Sequence, residues 1–130
     1  MARERRDSAV TALLLIAHGS RHDSANDDTR ELAAELVRRG ACSIAVAAFL
    51  EIAHPDIDAG AAECVRLGAR RVVLLPHFLS AGMHVRDDLG AARQRLAERY
   101  PDVDVRLAEP LGRHPLLLDV LTERARDAAR

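Results

Sequence analysis

The chain has 130 residues, of which 48% are apolar and 30% are charged, and its formal net charge is −1. This length and composition predict one soluble globular domain with a hydrophobic core of its own. The nearly balanced charge and the scarcity of aromatic side chains argue against nucleic-acid binding, which requires a basic surface or aromatic stacking platforms.

The basic residues are all arginine, 19 in number, and lysine is absent. The lack of lysine excludes a Schiff-base mechanism and a Walker-type phosphate site. Arginine instead offers planar, permanently charged donors that suit carboxylates. Cys42 and Cys64 have no CxxC spacing, so we expect buried small side chains rather than a disulfide or a zinc site.

The N-terminal segment is relevant to where in the cell the protein is located. Residues 1–9 are expected to be a frayed N-terminus, and residues 10–130 are expected to form a single domain. The charged start and the apolar run after it superficially resemble a signal peptide, but Glu4, Asp7 and the polar end of the run argue against one. Because no segment reaches transmembrane length, we predict a cytoplasmic protein without a membrane partner.

Strand-like apolar runs alternate with helical patterns along the chain. Strands are predicted over residues 10–17, 43–50, 72–76 and 103–107, and helices over 25–39, 55–67, 85–100 and 115–129. Pro55 is expected to open the second helix. The alternating charges of Asp104 and Arg106 place the fourth strand at an edge. This βα alternation predicts a parallel sheet with helices on both faces.

Histidines follow two of the predicted strands. His18 comes directly after the first strand, and His77 and His84 follow the third. Residues beyond the carboxyl ends of parallel strands line the ligand crevice of an open sheet. Since imidazole is the commonest metal ligand and titrates near neutral pH, the pattern predicts a divalent-metal or proton-transfer site. The alternative for a histidine at a strand end is a purely structural hydrogen bond.

Glu51 ends the second predicted strand, at the same edge as His18. Its carboxylate could bind a metal or accept protons from a substrate, or it could be a solvated terminal charge. His84 follows a roomy Ser80-Ala81-Gly82 segment and lies near a helix start. His77 is predicted either to contact a metal-binding residue or to bind the metal itself as an extra ligand. The chain has no GxGxxG, GxxxxGK[ST] or GxSxG motif, so nucleotide binding and serine-esterase chemistry are unsupported.

Three phrases carry a resemblance to a known family. AHGSRHDSAN, AAFLEIAHPDIDAG and GARRVVLLPHFLSAGMHVRDDL, between about Leu13 and Leu111, resemble the small sirohydrochlorin chelatases of the CbiX/SirB type. The resemblance implies a class II chelatase that inserts Co²⁺ or Fe²⁺ into sirohydrochlorin without ATP. It also implies a flavodoxin-like, three-layer α/β/α fold with a four-stranded sheet in the order 2-1-3-4.

The resemblance assigns roles to particular residues. The family's metal-binding histidines fall on His18 and His84, and its glutamate falls on Glu51, so these three residues are the expected catalytic and metal-binding set. His77 is an imidazole where family members more usually have an apolar or small residue, which leaves the number of ligands open. Candidate substrate-binding residues beside the motifs are Arg21, Ser80, Gly82 and Arg86, although the arginines could equally be ordinary surface residues.

Longer members of this family resemble two such domains fused, so a single copy is expected to pair as a homodimer around the flat macrocycle. The metal, which could be cobalt, iron or nickel, is the substrate, and no tightly bound cofactor is expected. The sequence does not choose among these metals or between cobalamin and sirohaem synthesis. A non-enzymatic metal-binding or metal-delivery module is the alternative function. A small hydrolase or isomerase using His18 and Glu51 as acid and base is a more distant one.

Overall fold

Four strands alternate with four helices along residues 10–130, the part of the chain that this computed structural model describes. The elements are β1 (Thr11–Ala17), α1 (Asp23–Arg38), β2 (Ile44–Phe49), α2 (Ile57–Arg66), β3 (Arg71–Pro76), α3 (Met83–Arg99), β4 (Asp104–Leu107) and α4 (Pro115–Ala129). All the strands pair in parallel in the order β2-β1-β3-β4. The predicted α/β fold, strand order and edge position of β4 are confirmed, whereas the prediction for residues 1–9 falls outside the described residues.

One face of the sheet is fully covered by α2 and α3. Leu14, Ile16 and Leu74 point to this face and are completely buried, together with Leu89 and Leu96 of α3. Helix α2 lies close to the sheet because Gly60 has no side chain, and a Cβ there would lie 2.7 Å from Leu14 Cδ1. The continuous burial of this face provides most of the hydrophobic core.

The opposite face is covered only in part. Helix α1 packs against β2 and β1, but no helix of residues 10–130 packs extensively on the same face of β3. The burial of β3 therefore alternates, with Val72, Leu74 and Pro76 buried and Arg71, Val73 and Leu75 only partly buried. Helix α4 follows β4 but has no buried residue.

Three helix starts differ from the predictions. Pro55 does not open α2: it lies in a cis peptide with His54, and the helix begins at Ile57 because the Asp56 carboxylate accepts the Ala59 N–H at 2.8 Å and caps the first turn. Helix α1 begins at Asp23, two residues earlier than predicted. Helix α3 begins at Met83 rather than Val85, so that His84 lies inside its first turn.

The start of α4 is as predicted, and His114 caps it by accepting the Leu116 N–H at its Nδ1 atom, 3.1 Å away. None of the helices in residues 10–130 combines the length and the apolar character needed to cross a bilayer.

Candidate functional site

The carboxyl ends of β1 and β2 remain joined beyond the sheet by main-chain hydrogen bonds. The Leu50 N–H donates to the Ala17 carbonyl at 2.9 Å, and the Glu51 N–H donates to the His18 carbonyl at 3.1 Å. His18 and Glu51 are thus held next to each other by the backbone itself. Both side chains are exposed, and both line the same cleft. The structure therefore brings together an imidazole and a carboxylate that lie 33 residues apart in the sequence.

Two unusual backbone conformations shape this junction. Gly19 has φ +97°, and a Cβ at this position would overlap the Glu51 carbonyl oxygen, so only glycine fits between the two loops. Ile52 has φ +70°, and the Ala53 N–H donates to the Glu51 carbonyl at 2.7 Å, which closes a tight turn around Ile52. A β-branched residue with positive φ is strained, and such strain is concentrated at functional sites.

A buried asparagine fixes the loop that follows His18. Asn26 of α1 is 4% exposed. Its Oδ1 accepts the Ser20 N–H at 2.9 Å, and its Nδ2 donates to the Ser20 carbonyl at 2.8 Å. The Ser20 hydroxyl in turn accepts the His22 N–H at 3.0 Å. The amide thus satisfies both main-chain groups of Ser20 and anchors the loop to a helix.

The His18 ring has an aromatic neighbour on the side of β3. Its centroid lies 4.8 Å from that of Phe78, with the two rings tilted by 34°. Phe78 follows β3, which pairs with β1 on the side opposite β2. The imidazole therefore lies where the ends of three adjacent strands meet, in contact with an apolar ring and lining the same cleft as Glu51.

The cleft beside His18 has a volume of about 430 Å³ and an acidic lining. Glu51, Asp56, Asp58 and Asp88 contribute carboxylates, and Arg95 contributes a guanidinium. Arg95 is committed to Asp58, since its Nη2 lies 3.1 Å from both carboxylate oxygens. The remaining carboxylates give the cleft an excess of negative charge, which favours a cation over an anion.

His84 lies on the same rim but outside this cleft. Its side chain is exposed in the first turn of α3, whereas the residues that α3 contributes to the cleft are Val85, Asp88, Ala91, Ala92 and Arg95. Ser80 and Gly82 before it are also exposed, and a Cβ on Gly82 would have no neighbour within 4 Å. The Arg86 Nε donates to the Ala81 carbonyl at 3.2 Å, which supports this loop.

The other predicted site residues are placed less centrally. His77 follows β3 but lines a groove on the opposite face of the sheet, next to Leu75 and Leu111. Arg21 is exposed in the loop before α1. Within residues 10–130, no three His, Cys, Asp or Glu side chains lie close enough together to hold a metal ion.

Sequence reasoning gave no role to Asn26, Ile52 or the ion pair between Asp58 and Arg95. A signal for Asn26 was present, because Asn26, Thr29 and Ala33 are spaced as one buried helix face and polar residues are unusual there. The positive φ of Ile52 and the ion pair depend on long-range packing and have no comparable local signal.

Comparison with known proteins identifies the family. The CbiX family model matches residues 12–128. The chain is 33% identical over 119 residues to a sirohydrochlorin cobaltochelatase of Sulfolobus acidocaldarius, covering 92% of this chain and 93% of that protein. It is 32% identical over 115 residues to a sirohydrochlorin ferrochelatase of Priestia megaterium, covering 88% of this chain and 43% of that one.

A solved structure has the same fold. The sirohydrochlorin chelatase SirB from Bacillus subtilis subspecies spizizenii, in complex with cobalt, superposes with a TM-score of 0.79 at 26% identity, covering 90% of this chain and 50% of that one. The chain thus spans about half the length of several relatives that it matches, and nearly the full length of others.

Proposed function

Because this chain belongs to the CbiX family, we propose that it is a chelatase that inserts a divalent metal ion, Co²⁺ or Fe²⁺, into sirohydrochlorin without ATP. The observation that carries the proposal is the main-chain junction of His18 and Glu51, which holds an imidazole and a carboxylate on adjoining loops at the mouth of an acidic cleft. Relatives named as cobaltochelatases and ferrochelatases support both candidate metals.

The proposed reaction exchanges protons for a metal ion. His18 and His84 in their neutral forms bind the incoming ion, which retains open coordination positions. Pyrrole nitrogens of the macrocycle then replace water on the ion, and two pyrrole protons leave as the dication enters the ring. Glu51, which lines the same cleft as His18, or a histidine accepts these two protons in turn and passes them to water. Few protein ligands are an advantage here, since the enzyme must release the ion to the macrocycle.

In this proposal, the negative charge of the cleft directs the metal ion and the macrocycle to different parts of the site. The acidic cleft attracts the metal cation and repels the carboxylates of the macrocycle. The macrocycle therefore approaches from the more open side of the rim, where Ser80, Gly82 and Arg86 lie. Arg86 and Arg21 are the proposed partners of its carboxylates, because guanidinium groups bind carboxylates through paired hydrogen bonds.

Two further parts of the proposal concern assembly and location. We propose that two copies pair as a homodimer, since the chain spans 43% of the ferrochelatase of P. megaterium and 50% of the B. subtilis SirB chain. A cytoplasmic location and the absence of a tightly bound cofactor remain predictions.

The direct test is to mix the purified protein with sirohydrochlorin and Co²⁺ or Fe²⁺ and follow the visible spectrum of the macrocycle. The wild-type chain should accelerate the spectral change well beyond the uncatalysed rate. His18→Ala and His84→Ala should each remove most of the acceleration, and Glu51→Gln should slow it. His22→Ala is the matched control, because His22 is an exposed histidine on the same loop and makes no capping bond through its side chain.

The outcomes separate the functions considered above. Metal binding without any acceleration would contradict the chelatase and favour a metal-delivery module. Full activity in His84→Ala would remove that residue from the ligand set. An activity of His18 and Glu51 on another substrate that persists in EDTA would favour the metal-independent hydrolase or isomerase.

A further inference from the structure

The residues from Glu51 to Pro55 form a surface segment between β2 and α2, which we call the Glu51 segment. None of its residues is buried. A main-chain hydrogen bond closes its base, because the Phe49 N–H donates to the Pro55 carbonyl at 2.9 Å. A segment with so little burial opens easily unless polar contacts from other elements hold it. The orientation of the Glu51 carboxylate therefore depends on such contacts.

A side chain of α1 holds this segment from outside. The Arg30 Nη2 donates to the His54 carbonyl at 3.1 Å, although the two residues lie 24 positions apart in the sequence. The Arg30 Cζ also lies 5.3 Å from the centroid of the Phe49 ring, which is almost fully buried at the end of β2. A guanidinium is planar, so it can place its face over an aromatic ring and donate hydrogen bonds from its edge. Arg30 thus connects α1 both to the strand before the Glu51 segment and to a carbonyl within it.

The remaining contact of Arg30 is an ordinary surface ion pair. Its Nη1 lies 2.9 Å from the Asp27 Oδ1 in the same helix, and both side chains are substantially exposed. Exposed ion pairs of this kind contribute little to stability. The contacts that distinguish Arg30 from other surface arginines are therefore those with His54 and Phe49.

Arg30 lies one helical turn after Asn26, on the same side of α1. Residues four apart on a helix are neighbours on its surface. Asn26 anchors the loop after His18, and Arg30 holds the segment after Glu51. One helix therefore supports both loops that carry the proposed catalytic residues, through two adjacent side chains.

The hold on His54 is close enough to Glu51 to affect it. Only two residues separate them, and the turn around Ile52 is tight because the Ala53 N–H donates to the Glu51 carbonyl at 2.7 Å. The Glu51 N–H is fixed by the His18 carbonyl, but the direction in which the chain continues from Glu51 is set by this turn and by the point where His54 is held. A displacement of His54 would therefore reorient Glu51.

We propose that Arg30 is a positioning residue, which keeps the Glu51 carboxylate oriented toward the cleft by holding the His54 carbonyl. Arg30 itself does not line the cleft, so it acts on the reaction only through Glu51. The inference rests on the proposed function and deepens it: acceptance of pyrrole protons by Glu51 depends on an arginine in a different element.

The chelation kinetics of Arg30→Met test this role. Methionine keeps an unbranched apolar side chain but has no guanidinium donors. The maximal rate with Co²⁺ and sirohydrochlorin should fall about tenfold or more, because a displaced proton acceptor is inefficient. The KM for Co²⁺ should change by less than about twofold, since His18 and His84 are unaltered.

Arg38→Met is the matched control, because Arg38 is also an exposed arginine of α1 and donates to Glu31 and Glu35 of its own helix. Its maximal rate should stay within about twofold of the wild-type rate. Equal losses in Arg30→Met and Arg38→Met would show a general effect of removing an α1 arginine and would refute the positioning role.

The combination of Arg30→Met with Glu51→Gln shows whether the effect passes through Glu51. If it does, Arg30→Met should lower the rate by less than about twofold in a chain that already carries Glu51→Gln, since residues that act together are not additive. A merely structural arginine would lower the rate by the same factor with either residue at position 51. That outcome, or a Glu51→Gln variant with the wild-type rate, would contradict the proposal.

Amide hydrogen exchange, followed by NMR, measures the hold on the segment without metal or tetrapyrrole. In Arg30→Met the Ala53 amide should exchange about tenfold faster or more, because the turn that protects it loses its support. The Ser20 amide, held by Asn26, should exchange at its wild-type rate. Unchanged exchange at Ala53 would overturn the inference whether or not the chain chelates. Faster exchange at Ala53 in a wild-type background without chelation would support the hold by Arg30 and contradict the proposed function instead.

Discussion

The two sides of the rim around His18 are held in place very differently. On the side of β1 and β2, main-chain hydrogen bonds join His18 to Glu51, and Asn26 anchors the loop between His18 and α1. On the side of β3 and α3, Ser80, Gly82 and His84 are exposed. We call these the fixed side and the open side. The contrast suggests that a small ion is positioned by the fixed side, while a large, flat substrate needs the space of the open side.

Two glycine substitutions should give the largest difference between the sides. Gly19→Ala should abolish chelation and destabilise the fold by at least about 2 kcal/mol, because the new methyl group overlaps the Glu51 carbonyl and the residue has positive φ. Gly82→Ala should leave the stability nearly unchanged, since φ is −65° and the Cβ would have open space.

Thermal unfolding and the spectral assay measure both glycine effects. Equal losses of stability in the two variants would contradict the distinction between the sides. A loss of chelation in Gly82→Ala with normal stability would instead show that the open side contacts the macrocycle closely at this position.

A thiol in the core beneath α2 should be strongly protected. Cys64 of α2 is fully buried, and burial raises the pKa of its thiol to about 11. At pH 8 the thiol is therefore protonated, and its alkylation should be about a hundredfold slower than that of a thiol with a pKa of 9 even before steric protection. Its reactivity should rise with pH as the thiolate forms.

Iodoacetamide labelling followed by mass spectrometry distinguishes Cys64 from Cys42. Cys42 is partly exposed, and although desolvation also raises its pKa, it should be labelled first. Early labelling of Cys64 at pH 8 would mean that α2 opens frequently.

Removal of the asparagine anchor should have an intermediate effect. Asn26→Ala leaves both main-chain groups of Ser20 without their side-chain partner and should cost about 2 kcal/mol in the free energy of unfolding. Urea unfolding measures this cost, with Asp27→Ala as the control on the exposed side of the same helix. Chelation at a temperature where Asn26→Ala is fully folded should also fall, because the His18 loop loses its anchor. Wild-type stability in this variant would argue against an anchoring role.

The smallest effect is expected at Ile52. Ile52→Gly relieves the strain of a positive φ, but it also adds backbone freedom to the unfolded chain, so the unfolding free energy should change by no more than about 1 kcal/mol. Chelation should nevertheless decrease, since the tight turn after Glu51 becomes mobile. The chelation rate and the unfolding free energy should therefore be measured on the same variant. A large loss of stability would show that the isoleucine side chain has a packing role.

Much of this architecture could be predicted because it depends on local pattern. The apolar runs and their spacing fixed the four strands and four helices, and the parallel arrangement brought the ends of β1 and β2 together with His18 and Glu51. Helix starts were less predictable: the apolar pattern and Pro55 pointed to one start of α2, but the Asp56 cap set another.

Contacts between distant residues could not be read from the sequence. The ion pair of Asp58 and Arg95, the turn at Ile52 and the separation of His77 from His18 by the sheet depend on how elements pack. The apolar residues of α4 likewise predicted an ordinary packed helix. Only the structure shows that its leucines remain exposed.

The hydrogen bond from the Glu51 N–H to the His18 carbonyl involves no side-chain atom. The spacing between positions 18 and 51 is therefore independent of which amino acids occupy them. If positions 18 and 51 provide metal ligands, as proposed above, one ligand type can replace another there, for example an imidazole for a carboxylate, while the main-chain hydrogen bond is kept. The preference for one transition metal over another could thus change between related proteins through single amino-acid substitutions.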